Sequence, residues 1–216
     1  MTSCQSSYWD RVATKKRFSH PLRVDWLTLH LNPEARILDC GCGYGRTLAD
    51  LHRAGYDNLA GLDFSEGMLR RCRSEIPGTA VVRNDGQSLP FKTSSVDAVL
   101  LFAVLTCIPA DDDQRALVFE VERILRPNGL LYISDLLLND DQRNRERYEK
   151  YARQGTYGVF TLPEGVVVRH HTLDWIIELT MAFEQLEYDP LTVTTMNGNP
   201  SAAFQYLGRK ATGPLL

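Results

Sequence analysis

A short apolar segment, a glycine-rich turn and a segment with helical spacing follow one another between Arg36 and Leu51. The turn, residues 39–45, reads DCGCGYG and has a glycine at every second position. Glycine permits the positive φ angles of a tight turn and lets a ligand approach the backbone without meeting a Cβ atom. A helix behind such a turn presents unpaired N–H groups to an anionic or polar ligand. This pattern therefore predicts a strand–turn–helix unit that binds a ligand.

An aspartate at the end of the next predicted strand narrows the kind of ligand. Asp63 follows Gly43 by twenty residues, where a carboxylate can accept hydrogen bonds from both hydroxyls of a ribose held over the turn. Dinucleotide sites have the spacing G-x-G-x-x-G, whereas the glycines here alternate and Asp39 precedes the first of them. An acid at this position is poorly placed for a pyrophosphate and well placed for an ammonium or sulfonium group.

Predicted strands and helices alternate along the first two-thirds of the chain. The strands are expected at Arg36–Cys40, Asn58–Asp63, Thr79–Asn84, Val96–Phe102 and Leu130–Asp135. Two later runs, 186–196 and 202–210, flank a turn signal at Asn197–Pro200 and predict a closing antiparallel hairpin. The alternation is typical of a doubly wound α/β fold. We therefore expect a mostly parallel, seven-stranded sheet with a C-terminal antiparallel hairpin.

The length of 216 residues is close to the usual range of about 100–200 residues for one domain. We expect a single domain, 1–216, made of four consecutive parts. These parts are an N-terminal helical cap (1–31), a cofactor-binding core (32–138), a lid insertion after the fifth strand (139–172), and a closing helix and hairpin (173–210).

The composition argues against several classes of protein. With 24 Lys and Arg against 27 Asp and Glu, the net charge is −3, which disfavours nucleic acid as a partner. No apolar run approaches the ~18–20 residues of a membrane span, and residues 1–17 lack the apolar region of a secretory signal. Cys40 and Cys42 have no second Cys or His pair at zinc-ligand spacing. We therefore expect a cytoplasmic protein without a metal and without membrane contact.

Several segments in the same order resemble the class I S-adenosylmethionine-dependent methyltransferases, in their small-molecule, type-11-like branch. The glycine turn resembles the first motif of that family, and Asp63 matches its ribose-binding acid. Residues 84–91 resemble the stretch after the third strand whose acid contacts the adenine amine. Residues 95–102 resemble the fourth strand, and residues 125–131 the link into the fifth strand. The resemblance covers about 32–135.

The resemblance implies S-adenosylmethionine as the cofactor and S-adenosylhomocysteine as its product. The cofactor-binding residues that it implies are Asp39, Gly41, Gly43 and Gly45 in the turn, Asp63, Phe64 and Met68 after the second strand, Asp85 and Gly86 after the third, and Phe102 at the end of the fourth. The turn would lie against the methionine part and Asp63 against the ribose. Phe64 and Met68 would flank the adenine, Asp85 would accept from its amine, and Phe102 would lie near the sulfonium methyl.

The end of the fourth strand narrows the class of methyl acceptor. Residues 102–105 read FAVL and lack the Asn/Asp-Pro-Pro-aromatic motif of the relatives that methylate adenine or glutamine amides. The Pro-Cys pair of cytosine-5 methylation is absent from the sequence, and the Asp/His metal cluster of catechol-type enzymes is not evident. A small-molecule acceptor is therefore favoured.

Methyl transfer from a sulfonium mainly requires alignment of the acceptor and exclusion of water. A general base matters only where the acceptor must lose a proton. The candidates are the neighbours His170 and His171, together with Tyr8 and His20 in the N-terminal segment. Adjacent side chains can point in different directions, so we expect only one of the paired histidines to enter the acceptor pocket.

The predicted lid begins at the rim of the pocket, because ligands in open α/β sheets bind outside the carboxyl ends of the strands. We expect residues 139–172 to form a mobile cover that carries the choice of acceptor. Arg143, Arg145 and Arg147 either attract an anionic acceptor or form a solvated helix face, and the sequence leaves both interpretations open.

Three other functions are compatible with parts of the sequence. A nicotinamide-dependent oxidoreductase on a Rossmann-like fold is opposed by the glycine spacing, and a nucleic-acid or protein methyltransferase is opposed by the net charge of −3. A regulator that binds the cofactor without catalysis stays open. The sequence also leaves monomer and homodimer open.

Overall fold

The computed structural model describes residues 3–152 and 155–211; residues 1–2 of the predicted cap and 153–154 of the predicted lid lie outside them. The helices are α1 (Ser3–Val12), α2 (Val24–Thr28), α3 (Arg46–Arg53), α4 (Glu66–Glu75), α5 (Asp111–Ile124), α6 (Gln142–Ala152) and α7 (Leu173–Leu179). The strands are β1 (Ile37–Cys40), β2 (Leu59–Asp63), β3 (Ala80–Arg83), β4 (Val96–Phe102), β5 (Leu125–Leu136), β6 (Val159–Thr161), β7 (Val167–Arg169), β8 (Phe183–Thr194) and β9 (Pro200–Lys210).

Seven strands form one sheet in the order β3-β2-β1-β4-β5-β9-β8. The first five are parallel to their neighbours, whereas β9 runs antiparallel to both β5 and β8. The central strands are apolar on both faces because helices cover both. Leu38 and Val99 belong to a cluster with α5 and α7, and Ile37 and Leu100 to a cluster with α2 and α3. The predicted fold class is confirmed.

The direction in which strands are added reverses at β1. From β1 the chain builds β2 and β3 on one side, and then crosses back to build β4 and β5 on the other. A reversal of this kind leaves a crevice outside the carboxyl ends of the two central strands, and ligands bind there in open α/β sheets. The glycine turn follows β1 directly and therefore lies at this crevice.

The fifth strand differs from the expectation at its start. The sequence predicts a turn at Arg126–Gly129 and a strand from Leu130, but β5 begins at Leu125, directly after α5. The turn residues form an irregularity inside the strand, where Asn128 has φ of 64° and the register against β4 shifts. The extra residues are thus absorbed as a bulge.

The N-terminal cap is fastened to the start of α4. Asp10 Oδ1 accepts hydrogen bonds from Ser65 Oγ at 2.7 Å and from Gly67 N at 2.8 Å. A Cβ atom on Gly67 would come within 3.0 Å of the backbone of Asp10. The glycine at this position therefore allows α1 to lie against α4.

The lid segment is more deeply packed than its charge density suggests. The sequence predicts that 139–153 is a solvent-facing helix or lid, yet α6 buries Asn144 and Tyr148. Tyr148 packs against Phe160 of β6, with ring centroids 5.7 Å apart, in a cluster that includes Trp9 of the cap. Of the two predicted alternatives, a solvent-facing helix does not describe the face of α6 that packs on the β6–β7 hairpin, and the lid stays a prediction.

No helix within the two described ranges combines the length and the apolar character needed to cross a bilayer.

Candidate active site

Residues from the carboxyl ends of β1, β2, β4 and β5 line a cavity of about 920 Å³. The cap, the lid and the turn between β8 and β9 supply its other walls. This volume lies near the upper end of the ~300–1,000 Å³ that small-molecule sites occupy. The cavity therefore has room for a nucleoside-sized ligand and a second small molecule.

The glycine turn lies against the cavity with its backbone in the left-handed region. Gly41 and Gly43 have φ of 84° and 53°, and both line the cavity. A Cβ atom on Gly43 would come within 2.7 Å of the Phe18 ring. Glycine is therefore needed there both for the turn and for the close approach of the cap.

The third glycine of the turn has a different surrounding. Gly45 precedes α3 with φ of 86° and does not line the cavity. A Cβ atom at this position would come within 2.5 Å of Cys72 Sγ and 2.6 Å of Ile76 Cδ1. Packing against α4 accounts for this glycine without a ligand.

Asp63 ties the glycine turn to the end of β2. Its two carboxylate oxygens accept hydrogen bonds from Gly43 N and Ser65 N, each at 2.8 Å. Burial raises the pKa of Asp63 to about 6, and these backbone hydrogen bonds oppose the rise. Each oxygen keeps a further lone pair, so this carboxylate can still accept from a ligand in the cavity.

Asp39 lies beneath the same turn without a hydrogen-bond partner. Both of its carboxylate oxygens are buried and unpaired among the described residues. Burial raises the pKa of Asp39 to about 7, Asp63 adds to the rise, and Arg46 opposes it. Asp39 does not line the cavity. An unpaired buried carboxylate favours an approaching cation or a bound proton.

The remaining cofactor-binding candidates all line the cavity. They are Phe64, Met68, Asp85, Gly86 and Phe102. The loop after β3 is shaped by Asn84, whose Oδ1 accepts from Gly86 N at 2.8 Å and whose Nδ2 donates to Ser88 O at 2.9 Å. Asp85 is exposed and accepts from Gln87 N at 3.1 Å. The structure thus brings together, around one cavity, residues that follow three different strands.

Of the paired histidines, His170 lines the cavity. Its Nδ1 lies 2.6 Å from the Tyr148 hydroxyl and 3.2 Å from Asn139 Nδ2. Burial, together with the smaller effects of Arg147, His171 and Arg143, lowers the pKa of His170 to about 3. The ring is therefore neutral at pH 7, with its Nδ1 held by two side chains.

His20 lines the cavity from the cap. Its Nδ1 lies 2.9 Å from the Ser134 hydroxyl of β5. Burial lowers the pKa of His20 to about 4, and the charge of Arg46 adds to the effect. Two neutral histidines, each held through Nδ1 by a hydroxyl group, thus border the same space.

His171 and Tyr8 do not line the cavity. His171 is buried behind it, with Nδ1 at 3.0 Å from Leu136 O and Nε2 at 2.9 Å from the side-chain amide of Gln114. Burial lowers the pKa of His171 to about 3. Tyr8 packs edge-on against Trp9 at 5.1 Å in the cluster between cap and lid. The contacts of both side chains stabilise the packing around the cavity.

Replacing His171 with alanine is expected to lower the free energy of unfolding by about 2–4 kcal/mol, because two buried hydrogen bonds are lost and a void is left. Urea denaturation measures the change. His52→Ala is the matched control, since the His52 side chain is exposed and its removal should change stability by less than ~0.5 kcal/mol. Equal, small effects of both substitutions would contradict the structural role.

Several wall residues were not identified from the sequence. Lys16 donates to Met196 O at 3.4 Å and to Asn197 Oδ1 at 2.5 Å, and Ser19 donates to Thr194 O. These bonds close the cap over the β8–β9 turn. No local pattern could have identified the contact, because Lys16 and Met196 are 180 positions apart in the chain.

Thiol chemistry has little support at this site. Cys40 lines the cavity, but burial raises the pKa of its thiol to about 12, so it stays protonated at neutral pH. Within residues 3–152 and 155–211, no group of three His, Cys, Asp or Glu side chains is arranged to hold a metal ion.

Comparison with known proteins places the core of the chain in a family. Residues 38–133 match the family described as "Methyltransferase domain". An uncharacterized protein of Haemophilus influenzae is 30% identical over 137 residues, covering 59% of this chain and 54% of that protein. A phthiotriol/phenolphthiotriol dimycocerosates methyltransferase of Mycobacterium ulcerans is 36% identical over 107 residues, covering 47% and 37%. The matched regions span about half, or less, of these relatives.

The fold extends the likeness over most of the chain. A solved S-adenosylmethionine-dependent methyltransferase of Methanosarcina mazei superposes with a TM-score of 0.82 at 24% identity, covering 89% of this chain and 99% of that one. The cavity fits the cofactor of such enzymes: two buried carboxylates, Asp39 and Asp63, lie at a turn whose cavity-lining glycines have no Cβ atom, and Phe64 and Met68 supply an apolar wall. Residues 38–133 thus match a methyltransferase domain of the type-11 family, and most of the chain shares the fold of the solved Methanosarcina mazei methyltransferase.

Proposed function

We propose that this protein transfers a methyl group from S-adenosylmethionine to a small molecule. The observation that carries the proposal is one cavity of about 920 Å³ with the glycine turn and Asp63 at one end and the lid at the other. The mycobacterial relative is named a phthiotriol/phenolphthiotriol dimycocerosates methyltransferase, which is consistent with an acceptor that is not a macromolecule. The net charge of −3 speaks against nucleic acid.

The experiment is a screen for release of S-adenosylhomocysteine from S-adenosylmethionine in the presence of pooled metabolites, with the pools then divided. A pool that gives release dependent on active protein supports the proposal. Binding of the cofactor without release in any metabolite pool, but with release on nucleic acid or protein, would replace it.

The cofactor would lie across the carboxyl ends of β1, β2 and β4. Asp63 would accept from the ribose hydroxyls, Asp85 from the adenine amine, and the backbone of Gly41 and Gly43 would lie against the methionine part. Phe64, Met68 and Phe102 would supply apolar contacts, since all three line the cavity. When bound, the cofactor supplies a methyl group activated by a sulfonium. Asp39 would balance the charge of its ammonium from beneath the turn.

On the acceptor side, His170 would remove a proton from an acceptor that has to lose one. It lines the cavity, it is neutral at pH 7, and the Tyr148 hydroxyl and the Asn139 amide lie next to its Nδ1. In the tautomer in which Nδ1–H donates to the Tyr148 hydroxyl, Nε2 carries the lone pair that would accept the proton. His20 is the alternative base, because it is held in the same way by Ser134. The cap and the lid together would exclude water from the reacting atoms.

Binding of S-adenosylhomocysteine near pH 7 is expected to release up to about one proton. Burial raises the pKa of Asp39 to about 7 and of Asp63 to about 6, so part of the free protein is protonated there. The ligand's ammonium favours the ionised carboxylates, so affinity should rise as the pH increases from about 6 to 8. Calorimetry in buffers of different ionisation enthalpy measures the release.

Asp39→Asn is the control for that measurement, because it keeps the size of the side chain and removes its titration. It should abolish most of the proton release. Release that is unchanged in this variant would assign the proton to another group and leave Asp39 with a role in the turn alone.

A further inference from the structure

One face of α6 turns three cationic side chains toward the cavity. Arg143, Arg147 and Lys150 all line it, and their spacing of four and three residues puts them on the same side of a helix. Arg145, between the first two, is exposed and does not line the cavity. The sequence left open whether these arginines form a solvated face. In the structure, Arg143 and Arg147 line the cavity and Arg145 does not.

The three cationic side chains of this face have few carboxylates close to them. No carboxylate of the described residues lies within 4.0 Å of Arg147 or Lys150, and Arg143 approaches Asp141 only at 4.0 Å. Arg147 is half-buried, its guanidinium lies 3.7 Å from the centroid of the Phe160 ring, and its Nε has no hydrogen-bond partner. By contrast, Arg169 is buried with Asp111 at 2.5 Å and Pro109 O at 3.1 Å.

Two acidic side chains of the cavity lie at the proposed cofactor end, and a third belongs to the lid. Asp63 and Asp85 follow β2 and β3, at the proposed cofactor end, and Glu164 is an exposed residue of the β6–β7 turn. The wall next to the cationic face is apolar and aromatic; it contains Tyr151, Phe160, Leu162, Val168 and Met196. The lid end of the cavity thus combines three cationic side chains, of which Arg143 and Arg147 are partly offset by the charge of Asp141, with an apolar wall.

We infer that the methyl acceptor is a small molecule that carries a carboxylate on an apolar or aromatic body, with the carboxylate held by Arg143, Arg147 and Lys150. The inference rests on the proposed methyltransferase function of the same cavity. Arg147 offers the fork of donors that matches a carboxylate, and its stacking on Phe160 fixes the plane of that fork. The body of the acceptor would lie along the apolar wall.

An anionic acceptor would also strengthen the proposed base. Arg147 and Arg143 are among the charges that lower the pKa of His170, after burial. A carboxylate between them and the ring would offset part of this effect, so His170 would become more basic when the acceptor is bound. Charge recognition and proton removal would then be linked through the same two arginines.

The test measures binding of matched probes to the full chain saturated with S-adenosylhomocysteine. The probes are benzoate, 4-hydroxybenzoate, phenylacetate and octanoate, each beside its primary amide. At least one acid should bind about tenfold or more tightly than its amide, because a charge-assisted, bidentate contact distinguishes the two. Arg147→Gln should remove that preference, whereas Arg145→Gln, on the same helix but outside the cavity, should retain it.

Three results would overturn the inference. They are equal binding of acids and amides, binding of neither, and an equal effect of Arg145→Gln and Arg147→Gln. Weakened binding of S-adenosylhomocysteine in Arg147→Gln, with the acid preference intact, would assign the arginine to the cofactor's carboxylate instead. Arg143→Gln and Lys150→Gln give the same readout if Arg147→Gln unfolds. Failure of the wild-type protein to bind S-adenosylhomocysteine at all would count against the proposed function itself.

Discussion

Replacing Asp63 with alanine is expected to weaken binding of S-adenosylhomocysteine by about 100-fold or more. Hydrogen bonds to a charged group contribute roughly 1.5–3 kcal/mol each, and a ribose would make two with this carboxylate. The substitution also removes the acceptor of Gly43 N and Ser65 N, so the turn itself loses a support. Isothermal titration calorimetry measures the affinity directly.

Two variants separate the ligand from the turn. Asp63→Asn keeps one carbonyl oxygen as an acceptor and should lose less affinity than Asp63→Ala. Asp97→Ala is the matched control, because Asp97 also accepts a backbone hydrogen bond, from Arg36 N at 2.8 Å, but lies outside the cavity. If Asp63→Ala and Asp97→Ala bind the ligand alike, Asp63 has no part in holding the ribose.

His170→Ala is expected to lower kcat by about 10²–10⁴-fold, the usual contribution of a general base, with little change in affinity for S-adenosylhomocysteine. The acceptor that the metabolite screen returns is the substrate for this assay. Added imidazole should restore part of the activity, because the substitution leaves space at the position of the ring. The split between turnover and cofactor binding distinguishes an acceptor-side residue from a cofactor-side one.

Two further variants test which histidine is the base and whether its hydrogen bond to a hydroxyl group contributes to turnover. Tyr148→Phe removes the hydroxyl held at 2.6 Å from His170 Nδ1 and should lower kcat by a smaller factor, since the ring loses orientation but remains. His20→Ala should leave kcat within a few-fold if His170 is the base. A large loss of kcat in His20→Ala with none in His170→Ala would transfer the role to the cap.

Much of the fold and of the cofactor end followed from the sequence because their signals are local. The glycine turn and Asp63 each come at the end of a short run of mostly apolar residues, which predicts a strand. Parallel strands bring their carboxyl ends to one edge of the sheet, so residues far apart in the chain become neighbours without further information. The order of these segments was also enough to predict the methyltransferase resemblance that residues 38–133 show.

At the start of β5, pairing within the sheet outweighed a local sequence signal for a turn. Residues 126–129 have the composition of a turn that ends a helix, and Asn128 does adopt a positive φ. Pairing with β4 continues on both sides of them, at Leu125 and Leu130. The pairing with β4 therefore keeps these residues inside the strand, where they form a bulge instead of a turn that separates helix from strand.

What only the tertiary structure decided is the acceptor end. His170 and His171 are adjacent, and β7 ends just before them; the backbone bond from His171 N to Leu136 O turns one ring behind the sheet and leaves the other at the cavity. Helical spacing could group Arg143 with Arg147, but it could not say whether they face solvent or a cavity. That choice depends on the cap, the hairpin turn and the lid meeting over the crevice, through contacts such as Lys16 to Asn197. Such contacts form between segments distant in the chain, and no local pattern of residues encodes them.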